Sequence, residues 1–255
     1  LSRPKQWIKN FFVFAALLFS ENLTNLSNIK LSIYAFFCFC IATTIIYFFN
    51  DIIDLENDKY HPIKKNRPLA KGDILKKEAI SIMCILTPVV CLVSLLINTS
   101  FLVIIFIYII INIAYSLKIK NLVILDVMCI STGFLLRVCA GAFAINVEIS
   151  PWILLCTLLL SLFLGFSKRR HEILLLKNSA INHRLILEEY SMEFIDQMLS
   201  IVTSSTVMTY SLYTFWASNH HNYMMVTIPY VLYGIFRYQY LIYQKTSGGS
   251  PEEII

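Results

Sequence analysis

Long apolar blocks of roughly 16–25 residues, each nearly free of charge, run through this chain of 255 residues. A hydrocarbon core of ~30 Å is crossed by about 20 helical residues, and a backbone in lipid must satisfy its own hydrogen bonds. Blocks of this length point to a bundle of membrane-spanning helices. The composition agrees, with 57% of residues hydrophobic and 15% charged, against about 45–50% and about 25% in soluble domains. The same figures exclude a disordered chain, a collagen-like repeat and a small disulfide scaffold. Eight spans are predicted, at roughly 7–20, 30–54, 75–97, 100–116, 123–145, 150–168, 192–217 and 223–243. The expected fold class is all-α, a polytopic transmembrane helical bundle.

The connections between these blocks alternate in charge. Residues 21–29, 98–100, 146–149 and 218–222 contain no Lys or Arg. The intervening segments carry Arg3, Lys5 and Lys9, then Lys59, Lys64, Lys65, Arg67, Lys71, Lys76 and Lys77, then Lys118 and Lys120, then Lys168, Arg169, Arg170, Lys177 and Arg184. Short loops rich in Lys and Arg stay in the cytoplasm, so the N-terminus and every even-numbered connection are expected there, in a multi-pass protein of the cell membrane. The net charge of +5 follows from this topology and calls for no nucleic-acid partner. Seven Cys residues all fall inside apolar spans without metal-type spacing and read as small buried apolar groups.

The densest chemistry lies in NDIIDLENDKYHPIKKNRPLAKG, residues 50–72. Asp51, Asp54 and Asp58 are spaced by three and four, which places them within about 60° of one another on a helix. Three carboxylates there repel one another, and negative charge at a helix C-terminus opposes the macrodipole. A compensating cation is therefore expected. Oxygen-only carboxylate ligands suit Mg²⁺, which binds through a few carboxylates together with substrate phosphates. Lys64, Lys65 and Arg67 follow directly, held near two prolines. Acids for a metal beside cations for phosphate describe a diphosphate site.

A second group of polar residues comes from AYSLKIKNLVILDV, with Tyr115, Lys118 and Asp126. Asp126 enters the fifth span, where an unpaired carboxylate is expensive. Arg137, eleven residues on, returns to within about 20° of the same helical face, and Gly133 shares that stripe. Arg137 reads either as a ligand for substrate or as a partner for an intramembrane acid. Lys168, Arg169 and Arg170 close the sixth span; they either grip phosphate or enforce topology, with Arg170 assigned to topology. At the start, Lys9 and Asn10 open the first span and are expected toward the same cavity as the aspartates.

These segments together resemble the UbiA superfamily of intramembrane prenyltransferases, whose NDxxDxxxD hallmark stands here as Asn50, Asp51, Asp54 and Asp58. Within it the chain is most similar to the decaprenyl-phosphate phosphoribosyltransferase branch, through RPKQWIKN at 3–10, HPIKKNRPLAKG at 61–72, YSLKIKNLVILDV at 115–127, GFLLRVCAG at 133–141 and SKRRHE at 167–172. The resemblance implies one UbiA-like domain over residues 1–255. The family usually has nine spans, so the ninth is expected to lie beyond residue 255. It implies Mg²⁺ as cofactor, phosphoribosyl pyrophosphate and a polyprenyl phosphate as substrates, and a lipid bilayer as surroundings. Carried over, Asp51, Asp54 and Asp58 hold the metal and act in catalysis with Asp126. Asn50, Lys9, Lys64, Arg67, Tyr115, Lys118, Arg137 and Lys168 bind substrate. Position 130 is Ile where the superfamily's second acidic motif, DxxxD, would repeat its acid, so a complete second metal set is not expected.

The implied reaction moves 5-phosphoribose to the lipid phosphate and releases diphosphate. An ionised acceptor phosphate needs no side-chain nucleophile, which agrees with the absence of a Ser/His or Cys/His arrangement on the basic face. Two alternatives remain at this stage. One is transfer of a prenyl group from a prenyl diphosphate to an aromatic or other small acceptor. The other is a transporter, whose charges would extend through the membrane rather than gather at one face as they do here.

Overall fold

A computed structural model describes residues 3–20, 22–60, 64–177, 189–216 and 222–244. Among the described residues the only regular elements are helices. The chain begins with a 3-10 helix, Pro4–Phe14, which passes into α1 (Ala15–Phe19). At a 3-10 rise of ~2.0 Å per residue, residues 4–19 reach about 30 Å, where an α-helix of that length would reach about 24 Å. A short apolar segment thereby attains the thickness of a bilayer core.

Then follow α2 (Leu26–Ile53), α3 (Leu55–Tyr60), α4 (Pro68–Lys71), α5 (Lys76–Ile97), α6 (Thr99–Leu117), α7 (Leu125–Ala144), α8 (Pro151–Lys177), α9 (Met192–Trp216) and α10 (Ile228–Gln244). Five of them, α2, α5, α6, α7 and α8, are long and apolar enough to cross a membrane. Helices also occupy the other three predicted blocks, at the start of the chain and in α9 and α10. The starts are set by local chemistry. Asn25 Oδ1 accepts the Ser27 and Asn28 N–H groups at the head of α2, and Asn98 Oδ1 accepts that of Phe101 at the head of α6; both are N-caps.

The residues group into two compact units, Leu1–Lys120 with Gly133–Ile149, and Asn121–Thr132 with Ser150–Ile255. In the first, α2 is the central helix, packed by α5, α6 and the N-terminal 3-10 helix. Phe39, Ala42, Ile46, Phe101, Ile105 and Tyr108 form its core with Leu136 and Ala140 of α7. Gly141 lies so close to the Val13 backbone that any Cβ would collide with its carbonyl. In the second unit α8 packs along α9, around Val127, Phe163, Phe166, Ile195 and Leu199.

Much of α5 is uncovered, with Ile85, Leu92 and Leu96 at 66%, 62% and 85% exposure. Such an apolar face suits lipid, not water. It also corrects the expectation for cysteine: Cys38 and Cys40 are buried, but Cys84 of α5 is exposed. The reason is that α5 turns most of its surface away from the protein.

Candidate active site

In the first unit α2 stops at Ile53, Asp54 caps it and α3 resumes at Leu55. The break is narrow, because the Asp54 N–H donates to the Asn50 carbonyl at 2.9 Å and the Asp58 N–H to that of Asp54 at 2.8 Å. Helical register thus carries through the cap. Asp51 and Asp58 are buried, at 1% and 3% exposure, while Asp54 is half-buried.

Arg67 joins the two buried acids. Its Nη1 donates to Asp58 Oδ2 at 2.5 Å and to Asp51 Oδ1 at 3.1 Å. Its extended backbone is what a residue before proline prefers, and Pro68 opens α4. Leu69 seats that short helix against Phe48 and Ala79, and Gly72 ends it at a positive φ of 86° that glycine adopts without steric cost. The loop is anchored from below by one leucine, with its arginine turned to the acids.

Two further cations complete the cluster. Arg3 is also paired with Asp51 Oδ1 and lies 4.8 Å from the centre of the Tyr47 ring. Its left-handed backbone, φ 45° ahead of a proline, is costly for a branched-chain-free L residue as for any other; the pair and the ring contact hold it there. Lys120, just past α6, donates from Nζ to Asp54 Oδ1 at 2.5 Å. Each of the three aspartates is thus paired with a basic side chain of the protein. In the sequence Arg3 and Lys120 stand out only as topological charges, and no local signal ranks Lys120 above Lys118.

Among the described residues no three His, Cys, Asp or Glu side chains converge as a ready metal cage. The donor chemistry still fits a hard divalent ion. All three acids offer oxygen, and Asp51 Oδ2 is buried without a hydrogen-bond partner. A buried carboxylate oxygen left unbonded is an uncommon expense, and a cation is its natural partner.

Other expected site residues lie as follows. Asn50 and Tyr115 are half-buried and Lys118 is exposed. The Lys64 side chain lies outside the described residues. Lys9 donates to Gln6 Oε1 at 2.5 Å. Asn10 does not turn toward the aspartates: it is fully buried and accepts the Arg137 Nε–H at 2.8 Å. Arg137 further donates to the Gly133 carbonyl at 2.7 Å and the Tyr108 hydroxyl at 2.9 Å. Its guanidinium also faces the Tyr108 and Phe134 rings. These partners are all neutral, so the expectation of an intramembrane acid for Arg137 gives way to a set of dipoles and aromatic faces.

In the second unit Asp126 is fully buried and both of its oxygens are bonded. Oδ2 accepts Arg169 Nε–H at 2.7 Å, and Oδ1 accepts the Tyr190 hydroxyl at 2.7 Å. Arg169 also pairs with Glu172. The Tyr190 oxygen in turn accepts the Ile124 N–H at 2.7 Å, and Ile124 sits at φ 69°, a strained value for a β-branched residue. Burial, followed by the bond to Asp126, pushes the Tyr190 phenol up beyond the ordinary tyrosine range. Arg170 pairs with Asp196 at 2.8 Å and stacks 4.0 Å from the centre of the Tyr243 ring, tying α8 to α9 and α10. Lys168 is half-buried and makes no ion pair with a described residue.

Comparison with known proteins bears directly on this arrangement. The profile of the UbiA prenyltransferase family matches residues 10–171, a stretch that includes the three aspartates, Asp126 and Arg169. The decaprenyl-phosphate phosphoribosyltransferase of Corynebacterium glutamicum is 33% identical, over 99% of this chain and 78% of its own length. The protein of the same name from Mycolicibacterium smegmatis is 31% identical, over 99% and 83%. Among solved structures, a UbiA homolog from Archaeoglobus fulgidus bound to GPP and Mg²⁺ superposes with a TM-score of 0.78 at 20% identity, covering 100% of this chain and 91% of that one. The apo UbiA homolog from Aeropyrum pernix gives 0.75 at 16% identity, over 98% and 94%. An apolar helical fold, an NDxxDxxxD segment at the end of its longest span and relatives matched across almost the whole chain agree on one conclusion: this membrane protein is a transferase of the UbiA prenyltransferase family.

Proposed function

We propose that the chain transfers 5-phosphoribose from phosphoribosyl pyrophosphate to a polyprenyl phosphate with Mg²⁺ as cofactor, releasing diphosphate. The observation that carries this reading is the near-complete coverage by relatives named decaprenyl-phosphate phosphoribosyltransferase. The site supports it, since three carboxylates alternate with Arg3, Arg67 and Lys120, a set suited to a metal-bound diphosphate.

The lipid phosphate oxygen forms a bond to the anomeric carbon as the bond from that carbon to the diphosphate oxygen breaks, and the electron pair leaves with diphosphate. The acceptor is already ionised near neutral pH, with a second phosphate pKa of about 6. Positioning and electrostatic stabilisation therefore dominate. Asp51, Asp54 and Asp58 hold the metal, which when bound neutralises charge on the leaving diphosphate, and Asn50 orients the group. Lys9, Lys64, Arg67, Tyr115, Lys118 and Lys168 bind phosphate oxygens, and Arg137 contributes positive charge from within the span. Asp126, with both oxygens engaged, enters as a positioning residue that holds Arg169 and Tyr190. The basic face, the site and the N-terminus lie on the cytoplasmic side.

Donor labelling tests the reading. Membranes carrying the full-length protein are incubated with polyprenyl phosphate and either labelled phosphoribosyl pyrophosphate or a labelled prenyl diphosphate. Label from the first is expected in the lipid fraction, dependent on Mg²⁺ and lost by at least about a hundredfold in Asp54→Asn, in line with removal of a group that stabilises the departing charge. Label passing only from the prenyl diphosphate to a small acceptor overturns the choice of donor. Full transfer in Asp54→Asn overturns the metal site.

A further inference from the structure

The polar side chains near the end of α8 divide by helical face. Ser167 Oγ donates to the Phe163 carbonyl at 2.6 Å, Arg169 is held by Asp126 and Glu172, and Arg170 by Asp196 and the Tyr243 ring. Lys168 and His171 stand apart from this set, for no hydrogen bond or ion pair joins either to a described residue. Three residues apart, they lie within about 60° of each other on the helix. Their shared direction is about 180° from that of Arg169 and Arg170. The arginines turn to α7, α9 and α10, and these two turn the other way. Both are half-buried. Leu164 and Leu160 continue their face back along the span, the first half-buried and the second 36% exposed.

His171 Nδ1 is buried and has no hydrogen-bond partner. A buried N–H left unbonded is rarer than an acceptor left so. The imidazole proton is therefore placed on Nε2, which donates without the ring taking charge. Lys168 adds a point charge and three donors. Glu172, the one acid of the run 167–172, is taken up by Arg169. One cation and one neutral donor, with no carboxylate to hold a metal, suit a single phosphate group and not a metal-bound diphosphate. Loop topology accounts for a lysine here but does not call for a histidine. We propose that Lys168 and His171 bind a phosphate monoester, with the Leu164 and Leu160 face taking the chain of a lipid that carries it. The proposal rests on the phosphoribosyl-transfer reading, in which the polyprenyl phosphate acceptor is such a lipid. The 5-phosphate of the donor has the same chemistry. His171 thereby becomes a substrate-binding residue, and Lys168 gains a stated ligand.

The test is stabilisation of the purified full chain in detergent by added ligand, read from the thermal unfolding midpoint over a range of ligand concentrations. The probes are farnesyl phosphate, farnesol and ribose 5-phosphate, each with a chelator in place of Mg²⁺. Wild-type protein is expected to bind farnesyl phosphate at least about tenfold more tightly than farnesol, in line with charge-assisted hydrogen bonds to the phosphate. Lys168→Gln and His171→Leu are expected to lose most of that preference. Lys168→Arg and His171→Gln, which keep a cation and a neutral donor, are expected to retain it. The midpoint without ligand shows whether each variant folds, and His171→Ala replaces His171→Leu should the latter fail. An effect on ribose 5-phosphate alone keeps the monoester site and gives it to the donor. Unchanged binding of both phosphates in Lys168→Gln and His171→Leu overturns the site. Because no metal, diphosphate or transfer is involved, this outcome is separable from failure of the donor assignment.

Discussion

Asp126 and Arg137 lie on one helix, each in a setting that its spacing in the sequence does not reveal. Their shared face is a property of α7, whereas their partners come from Arg169, Tyr190, Asn10 and Tyr108, chosen by folding and not by local period. The aspartate segment was legible because its charges are close in sequence and conflict with a helix end. Tyr190 was not, since it reaches Asp126 and Ile124 over 64 and 66 residues. Its hydroxyl both donates and accepts. Tyr190→Phe keeps the ring among Val127 and Ile195 but leaves a buried carboxylate oxygen and a strained N–H unbonded. Each such loss costs roughly 1–3 kcal/mol, so a clear fall in the thermal unfolding midpoint in detergent is expected. The sign of the pH effect follows from the raised phenol. In the unfolded chain tyrosine ionises near pH 10, so the bond's contribution is whole below that pH and declines above it. The gap between Tyr190→Phe and wild type should therefore be constant from neutral pH to about 9 and narrow beyond. A variant as stable as the wild type throughout removes the phenol from the lock.

Element by element, the apolar blocks forecast the helices well, because a span must be long and apolar wherever it lies. Their closeness is another matter, since it depends on which small residue meets which backbone. Gly141 of α7 lies against Val13 of the 3-10 helix, where a Cβ would strike the carbonyl, whereas a Cβ at Gly234 of α10 meets nothing within 4 Å. Both glycines sit within apolar helices and look alike in sequence. Gly141→Ala must push the N-terminal helix away from α7, and Asn10, three residues before Val13, carries the bond to Arg137. Overpacking of this kind costs about 1–3 kcal/mol, and the loosened bond adds to it. Gly234→Ala instead gains helix propensity, up to about 1 kcal/mol. Thermal melts of the two variants should move in opposite directions. A neutral Gly141→Ala shows that the N-terminal helix yields without cost. The end of α2 was legible as well, because the second apolar block closes at about 54 and α2 stops at Ile53 with Asp54 as its cap.

Over the whole molecule the scarce charges carry two kinds of information. Their sum, +5, comes largely from basic connections, which the proposed orientation places on one side of a bilayer, while the pairing of three of them with Asp51, Asp54 and Asp58 makes up the proposed site. Both readings require the basic connections to share a face with Asp51, Asp54 and Asp58. That requirement is open to direct measurement, because Lys77 lies at the start of α5 and Glu148 in a connection without Lys or Arg. Lys77 is exposed and outside the aspartate cluster, as is Glu148, so replacement by cysteine disturbs neither packing nor the site. The seven native thiols lie in apolar helices, where a charged reagent reaches them poorly, and the unsubstituted protein supplies their background. A membrane-impermeant maleimide applied to intact cells is expected to label Glu148→Cys and to label Lys77→Cys only after permeabilisation. The reverse pattern places the aspartates outside. A diphosphate donor made in the cytoplasm could not then reach them, and the phosphoribosyl-transfer reading would fail together with the orientation on which it depends.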